Sequence, residues 1–112
     1  MNPINWSEYQ RVHADRRNLL IHLLAVPLFA AAFIAAIVSL LRLDLLAFAA
    51  ALALCVAAMI LQRRGHAIES NPPRPFTGPL NFLQRWFTEQ YVIFPAFLLS
   101  GRWWQQYRDA AQ

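Results

Sequence analysis

The residues in this chain best suited to chemistry are its three histidines, His13, His22 and His66. Each lies at or just outside the same end of two long, nearly uncharged apolar runs, residues 19–41 and 43–61. At about 1.5 Å per residue, either run is long enough to cross a hydrocarbon core of roughly 30 Å. So few residues join them, around Arg42 and Asp44, that the two must be antiparallel neighbours. His22 opens the first run and His66 follows the second, which brings imidazoles distant in sequence to one face of the bilayer. Imidazoles gathered at a membrane boundary point to a metal site.

The spacing of the neighbouring polar residues fits that reading. Asn18 and His22 are i,i+4 and share a helix face, and His66 and Glu69 share one if residues 65–70 form a helical turn. His13 and His22 are nine apart and point oppositely on an unbroken helix, so the chain must bend near residues 15–18 if both are ligands. Three imidazoles and a carboxylate suit non-haem Fe(II), Mn(II) or Zn(II), with water or substrate in the remaining positions. The thiolates of structural zinc are missing, as is the helical His-Glu-x-x-His pattern of a zinc protease. No serine or cysteine nucleophile stands near a histidine in a recognisable arrangement, so acyl transfer has little support. The plainer alternatives are an interfacial histidine that bonds headgroups, a solvated loop carboxylate at Glu69, and a helix cap or supporting hydrogen-bond donor at Asn18.

The elements that must position these residues are helical and membrane-borne. With 58% hydrophobic and 14% charged residues in 112, the chain is too apolar for an ordinary soluble domain of its size and is read as one membrane domain, residues 1–112. The apolar stretch continues into a second span, so the first is not a cleaved signal peptide. Cys55 lies mid-span, has no partner for an internal disulfide and reads as a small apolar residue. The ten basic residues are all arginine, and no nucleic-acid partner is expected from them. Arg11, Arg16 and Arg17 precede the first span and Arg63, Arg64 and Arg74 follow the second, which places both termini in the cytoplasm. The membrane is then the inner membrane of a bacterium or the endoplasmic reticulum of a eukaryote.

Residues 1–18 read as an interfacial helix with Trp6, Tyr9 and Val12 three apart, capped by Asn5 or Ser7. Pro27 permits a kink below His22 by freeing the carbonyl of Leu23. Both spans are rich in alanine, which allows close packing and leaves a homo-oligomer open. Residues 62–79 hold four prolines and read as a loop carrying His66 and Glu69. A third helix follows over 80–100, oblique to the membrane or a third full span, with Arg85 and Glu89 as an i,i+4 pair on its polar side. Residues 101–112 read as a tail whose Trp103, Trp104 and Tyr107 anchor at the interface.

The stretches HADRRNLLIHLLAVPLF, GHAIESNPPRPFTGPL and LLSGR resemble the small membrane-protein family that includes the fungal 2-hydroxy fatty acid dioxygenase of phytosphingosine degradation. The matching positions are His13, Asn18, His22, Pro27, Gly65, His66, Glu69, Asn71 and Pro73, spread over nearly the whole chain. Ala25 stands where the family has glycine, and Ile68 where an aromatic residue is common before the glutamate. The resemblance implies an all-α integral membrane fold and an Fe(II) centre held by His13, His22 and His66. Glu69 completes or orients that centre beside Asn18, and zinc or manganese are the alternative metals. It further implies a 2-hydroxy fatty acid substrate with its tail in the bilayer and its carboxylate and hydroxyl on the metal, and O₂ as co-substrate. Cleavage between C1 and C2 shortens the acid by one carbon, and Arg17, Arg63 or Arg64 is expected to bind its carboxylate. Two other readings compete: a non-catalytic metal-binding or assembly module, and a different metal-dependent lipid enzyme such as a hydrolase or hydroxylase.

Overall fold

A computed structural model describes residues 4–110, and every regular element in them is helical. Helix α1 (Trp6–Arg11) begins at Asn5, which caps it by accepting the Glu8 N–H at 3.1 Å, and ends where the chain turns away at Val12. Asp15 then caps α2 (Arg16–Leu41) by accepting the Arg17 N–H at 2.8 Å. The expected bend between His13 and His22 therefore falls ahead of residue 16, where an aspartate can satisfy the orphan donors of a new helix. Asp44 caps α3 (Leu45–Ala67) in the same way, at the Ala47 N–H.

The hairpin seam follows a seven-residue period. Helix α2 buries His22, Ala25, Phe29, Ala32 and Ala36, and α3 buries Ala51, Cys55, Ala58, Gln62 and Gly65. Alternating steps of three and four keep one narrow stripe of each helix facing the other, and the small side chains on α3 let the backbones approach closely. The large apolar residues on the outer faces, among them Leu24, Ile34, Leu46 and Leu54, are exposed. That distribution suits a lipid solvent, and α2 and α3 are the two described helices long and apolar enough to cross a membrane. The fold is an all-α membrane hairpin.

Helix α3 runs six residues past the expected end of the second span, so His66 sits on a helix and not in the proline-rich loop. Gln62 is buried there because its side-chain amide pairs with that of Gln90, two bonds of 2.9 Å, which removes the reason for the helix to stop at a polar residue. The third helical stretch is α4 (Pro79–Thr88), a π-helical turn (Glu89–Ile93) and α5 (Phe94–Leu99). It packs across α2: Trp86 meets Phe29 edge-on at 5.2 Å, Phe87 lies 4.9 Å from Phe33, and the Tyr91 hydroxyl donates to the Ala30 carbonyl at 2.9 Å.

The expected tail is helical from Arg102 to Asp109 (α6), entered through Gly101 at φ +85°, a conformation that favours glycine. Trp103 is buried and donates its indole N–H to the Leu19 carbonyl at 3.0 Å, so it anchors α6 to α2 and does not face lipid. The Arg85–Glu89 pair does not form. Arg85 instead donates to the carbonyls of Arg74 and Pro75, and Glu89 turns inward to Tyr9. An inward hydrogen bond, sheltered from water, outweighs a surface ion pair worth at most about 1 kcal/mol.

Candidate metal centre

His13 follows α1 in the turn before α2, His22 lies on the second turn of α2, and His66 on the last turn of α3. The fold brings the three together at one end of the hairpin. Ring centroids are 4.9 Å apart for His13–His22, 4.7 Å for His13–His66 and 4.8 Å for His22–His66, with the rings near perpendicular in each pair. One nitrogen from each lies within 4.8 Å of the others. Near-perpendicular imidazoles do not stack face to face, and this triangle keeps one potential ligand nitrogen of each ring close to the other two.

The hydrogen bonds fix which nitrogen is free. His13 Nδ1 is 2.8 Å from the Tyr9 carbonyl and His22 Nδ1 is 3.1 Å from the Asn18 carbonyl. A carbonyl only accepts, so Nδ1 carries the proton in both rings and Nε2 presents a lone pair. His13 Nε2, His22 Nε2 and His66 Nδ1 are buried without a hydrogen-bond partner in the protein. Each such atom costs about 1–3 kcal/mol when unsatisfied, so three in one place make sense as metal ligands and not as core filling. Burial and the adjacent His22 and His66 rings hold His13 well below the ordinary histidine value, leaving it neutral, the form that ligates. The Tyr9 ring stacks on His13 at 4.0 Å and fixes its plane.

Glu69 is not brought into this cluster. Its Oε1 accepts from the backbone N–H of Ala14 at 2.9 Å and of Asp15 at 3.0 Å, and its Oε2 accepts from Asn18 Nδ2 at 2.7 Å. Asn18 is fully buried one turn before His22. The three candidate arginines separate. Arg63 lines a cavity of about 1330 Å³ whose wall also includes His13 and His66. Arg17 pairs with Asp15 at 3.0 Å, and Arg64, exposed like Arg63, is absent from the cavity wall.

The cavity continues along α3 from His66 past Arg63 to Ile60, Met59 and Val56, roughly 15 Å at helical rise. Phe76, Phe82 and Trp86 close its other side, and Arg74 and Arg85 also reach it. It is therefore apolar along its length, with imidazole and guanidinium groups in its wall. The family described as 2-hydroxy-palmitic acid dioxygenase Mpo1-like matches residues 4–104. The chain belongs to this family. No curated protein and no solved structure matches the chain. The matched span contains all three histidines, every wall residue named above and the π turn of this Mpo1-like chain.

Sequence reasoning missed the inward polar pairs Tyr9–Glu89 and Gln62–Gln90, and the cavity arginines Arg74 and Arg85. The available signal was polar residues placed in otherwise apolar helices, which are kept where they have a task. The π turn inserts an extra residue and aims Glu89 and Gln90 at α1 and α3, a common use of π segments.

The Tyr9 hydroxyl donates to Glu89 at 2.5 Å, and burial raises the Glu89 carboxyl to about 7. Between its ordinary value and 7, the folded chain holds a proton on Glu89 that the unfolded chain has lost. The contribution of Glu89 to stability is therefore greatest below pH 4.5 and falls as pH rises to about 7. Comparing Glu89→Gln with the parent isolates this term from the histidines, which act in the opposite direction. The variant should lose part of the decline in thermal midpoint between pH 5 and pH 8, and parallel profiles for the two proteins would contradict it.

Proposed function

We propose that this protein is a membrane-embedded, non-haem Fe(II) dioxygenase that cleaves long-chain 2-hydroxy fatty acids between C1 and C2. The observation that carries the reading is the convergence of three unpartnered imidazole nitrogens beside a long apolar cavity with arginine in its wall. His13, His22 and His66 are the residues that would hold the ion, and the all-nitrogen donor set with no thiolate fits iron. When bound, the ion supplies Lewis acidity and the activation of O₂.

The chain's own residues account for binding and orientation. Val56, Met59, Ile60, Phe82 and Trp86 bury the acyl tail, which contributes about 0.8 kcal/mol per CH₂ removed from water. Arg63, one turn from His66 on the same helix, is placed to bind the carboxylate, with Arg74 and Arg85 sharing the positive field. The Tyr9 and Asn18 carbonyls hold His13 and His22 in the ligating tautomer. Iron analysis of anaerobically purified protein, followed by O₂ uptake on addition of 2-hydroxypalmitate, tests the proposal. Iron-loaded, folded protein with no uptake would favour a non-catalytic metal module.

The same reading places the histidine end of the hairpin at the cytoplasmic face, supported by the arginines that flank both spans. A cysteine introduced at Asp44 in a Cys55→Ala background should then react with an impermeant maleimide outside intact cells, and one at Asn71 should not. The opposite pattern would invert the topology.

A further inference from the structure

Glu69 touches the chain beside each of the three histidines. It lies three residues after His66, and Glu69 N–H donates to the His66 carbonyl at 3.2 Å. Its carboxylate accepts from the N–H of Ala14, the residue after His13, and from that of Asp15. It also accepts from the side chain of Asn18, whose carbonyl fixes the His22 ring. All these donors converge on one carboxylate, so its lone pairs are committed to the chain.

Gly65 completes the arrangement. A Cβ at that position would lie 2.1 Å from Asn18 Oδ1 and 3.1 Å from Asn18 Cγ, so a side chain there displaces Asn18. Glycine in the last turn of α3 is thus required for Asn18 to reach Glu69 across the hairpin seam, and offsets the roughly 1 kcal/mol that glycine costs in a helix.

We infer that Glu69, with Asn18 and Gly65, is the positioning device of the histidine triad and is not itself a metal ligand. The inference rests on the metal-site reading above. Glutamine preserves the shape of Glu69 but puts an NH₂ where one of two accepting oxygens stood, so part of the latch opens while the seam contacts farther down, from Ala25 to Ala36 on α2 and from Ala51 to Ala58 on α3, are untouched.

The test uses the full chain in detergent micelles and Co(II) as probe, read by its visible d–d absorption. Glu69→Gln should bind Co(II) with affinity reduced about 10- to 100-fold, the range for groups that support metal ligands, and show the parent spectrum at saturation. Gly65→Ala should weaken binding similarly, yet add nothing in an Asn18→Ala background, because the clash is with that side chain. Asp44→Ala, which removes the α3 cap at the opposite end, should lower the thermal midpoint and leave Co(II) affinity unchanged. A changed saturated spectrum in Glu69→Gln would make Glu69 a ligand and overturn the inference, as would parent affinity in that variant. Failure of the parent to bind Co(II), Fe(II) or Zn(II) would instead remove the metal-site reading itself.

Discussion

Alanine at His13, at His22 or at His66 should strip the protein of most of its bound metal. Each ring supplies one of three nitrogens that have no other partner in the fold. Structural zinc sites owe roughly 10–16 kcal/mol to four ligands, a few kcal/mol for each, so by that scale losing one of three imidazoles should weaken affinity by about a hundredfold or more. His22 is fully buried, and truncating it also leaves a void against Phe94, whose ring lies 6.2 Å away, so that variant should be the least stable of the three. Cys55→Ala, buried in the seam well below the cluster, serves as the control and should keep full metal content. Metal analysis of the purified variants, with helix content checked by circular dichroism, decides the matter. Full occupancy in all three histidine variants would eliminate the site.

The second large effect concerns the substrate. The cavity runs roughly 15 Å from His66 to Val56 along a mostly apolar wall, so acyl length and the polar head are read at different places. 2-Hydroxybutyrate lacks about twelve of the methylenes of 2-hydroxypalmitate, and losing the contact of only about four of them costs roughly 3 kcal/mol, more than a hundredfold in kcat/KM. 2-Hydroxybutyrate should therefore be turned over far more slowly than 2-hydroxypalmitate at equal concentration. Palmitate fills the same wall but offers the site a carboxylate alone, without the adjacent hydroxyl, and should support little O₂ uptake. Equal rates for palmitate and its 2-hydroxy derivative would refute recognition through the paired oxygens. Arg63→Gln should raise KM for 2-hydroxypalmitate more than Arg17→Gln does, because only Arg63 of that pair lies on the cavity wall.

Much of this protein was legible in one dimension because a bilayer simplifies the physics. Without water to satisfy backbone groups, an apolar run of the right length can only be a helix, so the two spans and their antiparallel pairing follow from hydropathy and a short link. The gathering of His13, His22 and His66 at one end follows from the same arithmetic. The seam was not: alanines fall on every face of α3, and only the packed hairpin singles out Ala51, Cys55, Ala58 and Gly65.

Tertiary structure decided what depends on contacts between distant segments. Helix α3 carries Gln62, whose side chain Gln90 satisfies, and Gly65, where a side chain would displace Asn18, and neither partner is visible from residues 62–66. Glu69 lies three residues from His66, a spacing that fits a ligand, but its carboxylate is captured by donors at Ala14, Asp15 and Asn18, more than fifty residues away. The three arginines had equal standing in sequence and differ only in which face of the fold they occupy. Hydropathy and spacing act along the chain, and so could set the spans and the candidate ligands. Hydrogen-bond satisfaction of buried polar groups acts across it, and so only the folded arrangement could assign each polar residue its partner.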